Sequence, residues 1–417
     1  MLSFITSSDE RSRYQAVPVP LPIENLEPTS IVKLWYVRVN HLFYILNGDD
    51  NLYACCVSMS PSSADKPFKI PLGVPLRDLL SASSNLVVLV FADGSVRTLH
   101  YSRDDGWIDG IKFHLPLDTT STVECTGSCT GSNLFWVQRS SQFRDEVGYS
   151  LWKCSLSTDS DALPNVQCLA HRLPPFHLHV LRHAAIVIPC LPDPPNIYLS
   201  FGYTHDFKMG SLAKQAVLLT TTLSSPLDVA AFYKRHIRFW QVQTHAAVVH
   251  HSCVSPLANC LYLLLKDNSV IMLSSSGDIL RQTILQDVSP RVMGCCVVAS
   301  TLCLFEDSAV QLYDLTGGSL LEELTLQGTF RGVLPSLWAF WTTEGVYQLS
   351  VPGCTWHRNS SGQLQSEALV YAAWHAGAET SPGLPIEAQV RTKLNRILHP
   401  LVECYWKLQQ TKVALTS

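Results

Sequence analysis

The residues of this chain that could do chemistry are histidines, cysteines and adjacent acids. His177 and His179 alternate on a segment of strand character and therefore share a face, with His171 and His183 nearby. His250 and His251, with His245, form a second cluster. Two histidines on one strand face can ligate a metal, but neither cluster has a third ligand at a fixed spacing, and packing is the better reading. Cys125 and Cys129 are spaced C-x3-C with no second pair at zinc-ribbon or zinc-finger distance. The acids Asp49-Asp50 and Asp104-Asp105 sit in turns, where short carboxylates bond local backbone, rather than across a cleft as paired acid/base catalysis needs.

The motifs of nucleophilic, nucleotide-binding and metallopeptidase sites are missing from the sequence: there is no G-x-S-x-G, G-x-G-x-x-G, Walker A or H-E-x-x-H. Thr126–Ser132 (TGSCTGS) imitates a phosphate loop but lacks its lysine, and reads as a flexible turn. Trp136, Trp152, Trp338 and Trp341 lie on runs of strand type, where indoles pack cores more often than they stack bases. No catalytic residue, cofactor or metal ligand is expected. Asn359-Ser360-Ser361 matches a glycosylation sequon and is read as a polar turn.

The elements that would have to position any site are β-strands in a repeat. An apolar run, a short acidic or small-residue turn and a second β-type run recur four times. They are Leu86–Val90 before Asp93-Gly94-Ser95-Val96, Leu261–Leu265 before Asp267-Asn268-Ser269-Val270, Leu302–Phe305 before Asp307-Ser308-Ala309-Val310, and Leu337–Trp341 before Glu344-Gly345-Val346. From Val270 to Val310 is 40 residues and from Val310 to Val346 is 36, the period of a four-stranded propeller blade. The expected fold is all-β: a WD40-like β-propeller of about six or seven blades, with a helical insertion and a short α-helical C-terminal segment. Residues 1–30, with Pro18, Pro20, Pro22 and Pro28, read as an extended lead-in, and 31–351 as the propeller. Residues 352–385 read as a linker and 386–417 as an amphipathic helix. Within 157–245, the least regular part, Ser225-Pro226 opens a helical insertion over Leu227–Val242 whose Lys234, Arg235, His236 and Arg238 read as a solvated face.

Composition narrows the function classes. At 417 residues with 47% hydrophobic and only 15% charged residues, the chain is long enough for a large repeat array with faces that partners cover. A net charge of −4 argues against nucleic acid as a partner. No apolar run approaches the length of a membrane span, the N-terminus is too weakly apolar for a signal peptide, and many of the 14 cysteines sit inside apolar runs as buried free thiols. The expected location is therefore cytosolic. A stripe of period near 3.6 runs along Ile386–Gln410, and its Val390, Leu394, Ile397, Leu401, Tyr405 and Leu408 are the candidate protein-binding residues. Pro400 should kink that helix.

Three stretches carry a resemblance. The first runs from Pro75-Leu76-Arg77-Asp78-Leu79-Leu80 through Leu86–Val90 and Asp93-Gly94-Ser95-Val96 to Gly106-Trp107. The second is Cys129–Val137, and the third joins Thr301–Phe305 to Val310–Glu323 with its Tyr313-Asp314 and Thr316-Gly317-Gly318. In pattern and order, over roughly 35–400, the chain resembles the family of the sixth Hermansky–Pudlak syndrome protein, a subunit of the second biogenesis-of-lysosome-related-organelles complex. The resemblance implies a non-catalytic, cytosolic subunit with an N-terminal propeller and a helical C-terminal half. It implies other protein subunits of a hetero-oligomeric complex as partners, a role in vesicle trafficking, and at most peripheral association with endosomal membranes. The chain departs from the family in holding little of that helical half, as a fragment or short isoform would. Two other readings stay open. One is a propeller scaffold of a DNA-repair or ciliary assembly. The other is a propeller hydrolase, which would need Asp93, Asp267, Asp307 and Glu344 to converge, although these acids recur for structural reasons.

Overall fold

The computed structural model describes residues 14–19, 21, 27–37, 42–56, 68–83, 86–102, 106–117, 122–128, 133–140, 148–156, 165–181, 183–189, 197–203, 205–236, 248–255, 259–298 and 301–350. Strand β1 (Gln15–Val19) precedes seven successive antiparallel sheets. The first holds β2 (Ile31–Val37), β3 (Leu42–Asn47), β4 (Leu52–Cys56) and β5 (Phe68–Ile70). The second holds β6 (Leu76–Ser83), β7 (Leu86–Phe91), β8 (Ser95–Ser102) and β9 (Gly106–His114). The third is β10 (Thr122–Ser128), β11 (Asn133–Ser140), β12 (Gly148–Ser155) and β13 (Asn165–Leu173), with the short β19 (Leu227–Asp228) added in parallel on β13. The fourth is β14 (Phe176–Val180), β15 (Ala184–Pro189), β16 (Ile197–Gly202), β17 (Asp206–Ser211) and β18 (Ala216–Thr222). After β19 (Leu227–Asp228) and the helix α1 (Val229–His236) come β20 (Val249–Ser255), β21 (Cys260–Leu265), β22 (Ser269–Leu273) and β23 (Ile279–Ile284). The sixth sheet is β24 (Gly294–Val298), β25 (Thr301–Phe305), β26 (Ala309–Asp314) and β27 (Leu320–Thr325). The seventh joins β28 (Phe330–Leu334), β29 (Ala339–Thr342) and β30 (Val346–Ser350) to β1. The chain is all-β with one short helix among the described residues and belongs to the β-propeller class, with seven blades.

The chain divides into two compact units. The larger, Pro22–Val57 with Ala64–Ile284, holds the first five sheets. Its apolar layers lie between consecutive sheets. Tyr44 and Leu46 meet Val87 and Leu89, and Val88 and Val90 meet Leu134 and Trp136. Phe135 and Leu151 meet Leu199 and Phe207, and Ile186 and Tyr198 meet Leu261 and Ile271. A middle strand is thus covered on both faces, which is why β7 and β21 are apolar and buried at every position instead of alternating. The smaller unit, Met1–Leu21 with Ser58–Ser63 and Leu285–Ser417, holds the last two sheets, joined by the stacked rings of Phe305 and Phe330 at 4.8 Å.

Several local expectations change. The helix starts at Val229, two residues later than expected: Leu227-Asp228 pair in parallel with Ala170-His171, and Asp228, not the Ser-Pro pair, caps α1 by accepting from the Ala231 N–H at 3.0 Å. Thr126, Gly127 and Ser128 are strand rather than turn, in register with Trp136, Phe135 and Leu134, because the ladder supplies partners for their backbone groups. Trp338 is not on a strand. It ends the 3-10 turn Pro335–Leu337 with φ 53°, and β29 starts after it. In the turn after β3 the backbone is bonded by the amide of Asn47, which accepts from Asp49 and Asn51, rather than by the acids. Gln15–Val19, inside the lead-in, is a strand, with Pro18 on a sheet edge where its missing N–H costs no ladder bond.

Candidate functional site

The recurring acids lie where the turns put them. Asp93 Oδ1 accepts from the Ser95 N–H at 2.9 Å and from its hydroxyl at 2.6 Å. Asp267 does the same with Ser269, at 3.0 and 2.6 Å. The residue between adopts positive φ in each, Gly94 at 80° and Asn268 at 64°, as a tight hairpin link requires. The Ser95 hydroxyl, followed by its backbone N–H and the charge of His114, holds the Asp93 carboxyl below its ordinary value against the opposing pull of burial. In the smaller unit the turn after β25 closes through Glu306 N–H to the Ala309 carbonyl, and that after β29 through Thr342 N–H to the Gly345 carbonyl. The four acids are parts of hairpin turns.

A shallow depression in the larger unit is lined by Gln167, Cys168, Phe201, Gly202, His205 and Asp206, among others. It brings a thiol and an imidazole to one place. Burial pushes Cys168 up to about 11, and its S–H is directed to the Ala170 carbonyl at 3.5 Å, so the thiol is a neutral donor rather than a nucleophile. His205 Nδ1 lies 3.5 Å from Gln167 Nε2. None of Asp93, Asp267, Asp307 and Glu344 lines this depression. Among the described residues no group of three or more His, Cys, Asp or Glu side chains is placed to hold a metal ion.

The two histidine clusters, separate in sequence, meet. His177 and His179 lie on β14, His250 and His251 on β20, and His179 Nε2 is 3.0 Å from the Ser252 hydroxyl. His245 lies outside the described residues. The tryptophans are packing groups: Trp136 is fully buried with its ring stacked on Trp152 at 6.1 Å, and Trp338 and Trp341 are buried as well.

Several outer strands present large apolar side chains. Among the described residues the outer strands β5, β9, β18, β23, β27 and β1 each pair with one neighbour, whereas β13 also takes β19. On these outer strands Phe68 of β5, Ile108 of β9 and Ile284 of β23 stay exposed in the larger unit, Ile284 at 67%. Leu320 and Leu321 of β27 and Val17 of β1 do so in the smaller. The sequence reading missed them. An outer strand alternates apolar and polar residues like any half-buried strand, and only the sheet order shows which strands lie outermost. The expected protein-binding residues Val390, Leu394, Ile397, Leu401, Tyr405 and Leu408 lie outside the described residues. Among the described residues no helix is long and apolar enough to cross a membrane.

No protein-family model matches the chain, and no curated protein matches it. Solved structures do. Sqt1 of Saccharomyces cerevisiae is 9% identical with a TM-score of 0.42, over 82% of this chain and 98% of that one. The β-propeller domain of Cps50 (Swd1) from Myceliophteria thermophila is 8% identical with a TM-score of 0.44, over 77% and 97%. BamB from Moraxella catarrhalis is 10% identical with a TM-score of 0.38, over 78% and 84%. At these identities and scores the likenesses carry no argument about function, and the fold class rests on the seven sheets themselves.

Proposed function

We propose that this chain is a non-catalytic interaction scaffold whose partners are proteins. The observation that carries this reading is the set of large apolar side chains on outer strands, Phe68, Ile108 and Ile284 in one unit and Val17, Leu320 and Leu321 in the other. An outer strand offers unpaired backbone groups together with apolar contacts, the combination that an added strand or an apolar partner surface uses. Asp93 and Asp267 bound within their turns and the neutral Cys168 thiol support the non-catalytic reading.

The resemblance in strand order and turns extends the proposal to a cytosolic hetero-oligomeric complex in vesicle trafficking and lysosome-related organelle biogenesis. In it the stripe Val390, Leu394, Ile397, Leu401, Tyr405 and Leu408 would bury its apolar side on a sister subunit. Affinity purification from cells with mass spectrometry tests both levels. Recovery of a defined set of proteins, lost on Leu394→Asp with Leu401→Asp while the purified variant keeps its melting temperature, supports the stripe as a contact. Unchanged recovery removes the stripe. No stoichiometric partner at all removes the scaffold reading.

A further inference from the structure

One outer strand of the smaller unit is both apolar and acidic. Among the described residues β27 pairs with β26 alone, and their register slips: Tyr313 stands opposite Leu320, whereas Leu312 stands opposite Glu322. Leu321 is the extra residue of that bulge, and the two successive leucines stay 42% and 45% exposed. Glu322 and Glu323 follow them directly. Glu322 accepts from the Tyr14 N–H and Glu323 from the Gln311 amide, both at 3.1 Å, and these neutral donors bring no positive charge to the strand.

The negative charge extends beyond β27. Over 285–350 seven acids stand against two arginines and no lysine, a formal charge of −5. Burial and then the charges of Asp287, Glu323 and Glu306 push Tyr313 up to about 12, and burial and then Glu344 raise Tyr347. A face of this kind suits a cationic, apolar occupant. The chain itself supplies one. Residues 386–410 lie outside the described residues, and their apolar stripe from Val390 to Leu408 is interleaved with Arg391, Lys393, Arg396 and Lys407. Over 386–417 five cations stand against two acids, a formal charge of +3.

The chain also leaves the last sheet in the right place. Ser350, the final residue of β30, is in register with Gln15, and the neighbouring Tyr14 is bonded to Glu322 of β27. A flexible linker as long as 351–385 has an end-to-end distance of about 30 Å. A segment tied through it is held near β27 at an effective concentration of about millimolar. We propose that in the free chain the stripe of 386–410 docks on β27, its apolar residues covering Leu320 and Leu321 and its cations meeting Glu322 and Glu323. This rests on the reading of the stripe as a contact surface and adds a regulation of it: a sister subunit has to displace this chain's own β27 to reach the stripe.

Carbodiimide cross-linking of the monomeric full chain, read by mass spectrometry, tests this contact, because the reagent joins an amine to a carboxylate only where the two meet. Bonds from Lys393 or Lys407 to Glu322 or Glu323 are expected at about tenfold the yield of bonds from the same lysines to the exposed Asp49 and Asp206. Leu320→Ser with Leu321→Ser, folded by its melting temperature, should cut that yield at least about fivefold, and so should Leu394→Asp with Leu401→Asp. Bonds spread evenly over the acids, or a yield unchanged in both variants, overturn the docking. Bonds found only between isotope-labelled and unlabelled chains overturn it too, and make a second copy the occupant. If the β27 variant does not fold, the stripe variant decides. Missing bonds, with partner recovery still lost on Leu394→Asp with Leu401→Asp, remove the docking and keep the scaffold reading; bonds present with no partner recovered do the reverse.

Discussion

Tyr198 shows how a single side chain couples two sheets of the larger unit. Its ring is fully buried, and its hydroxyl donates to the Gly277 carbonyl at 2.6 Å, joining β16 to the turn before β23. Gly210 on β17 makes room for it, because a Cβ there would lie 2.2 Å from the phenol carbon and oxygen. Gly277 has φ +82° in the turn that presents that carbonyl. Gly210→Ala should therefore cost about 2–3 kcal/mol by overpacking, seen as a lower melting temperature. Tyr198→Phe keeps the ring and loses about 1 kcal/mol of hydrogen bonding. A larger loss for Tyr198→Phe than for Gly210→Ala would place the constraint in the hydrogen bond instead of the ring. The sequence announces neither requirement: Gly210 sits in a run, Lys208-Met209-Gly210-Ser211, that reads as an unremarkable strand end.

At the level of elements, α1 is held by one carboxylate with two tasks. Asp228 caps the helix at the Ala231 N–H and accepts a two-pronged bond from Arg172 on β13. Burial opposes its charge, but Arg172, the Ala231 N–H and the charge of His171 outweigh that and hold the carboxyl below its ordinary value. The stabilisation is present above about pH 4 and is lost as the pH falls through the lowered value, the usual sign for a paired acid. Asp228→Ala is expected to cost about 1–2 kcal/mol, and Asp228→Asn, which keeps an acceptor for the cap, about half of that. Urea unfolding at pH 7 and pH 3 checks both: the difference between wild type and Asp228→Ala should shrink at the lower pH. The helix was legible from its composition, whereas its start was not. Ser225-Pro226 is a valid start signal, and what displaced it is the parallel pairing of Leu227-Asp228 with Ala170-His171, a contact more than 50 residues away along the chain.

At the level of the molecule, the smaller unit joins the two ends of the described chain. β1 completes the last sheet by pairing Gln15–Val19 with β30. Tyr14 adds an N–H bond to Glu322 at 3.1 Å and a hydroxyl contact with Thr301 at 3.3 Å. Deleting residues 1–19 strips β30 of its outer partner. The expected result is a loss of at least about 2 kcal/mol from the abandoned ladder and aggregation through the bared edge. A peptide of residues 14–21 added in trans should restore the melting temperature, and a truncated chain as stable as the parent would show that β1 is dispensable.

The runs Leu86–Val90, Leu261–Leu265 and Leu302–Phe305, with the short turns behind them, were written plainly in the sequence, and so was the all-β repeat. Each such strand is covered on both faces and linked to its neighbour by a hairpin, so local composition carries the information. The pairing of a proline-rich N-terminal strand with β30, the meeting of His179 with Ser252, and the exposure of Ile284 and Leu320 belong to the folded chain alone. Backbone hydrogen bonding accepts almost any residue type on an edge. Side-chain pattern therefore cannot say which distant strand arrives there, or whether any does.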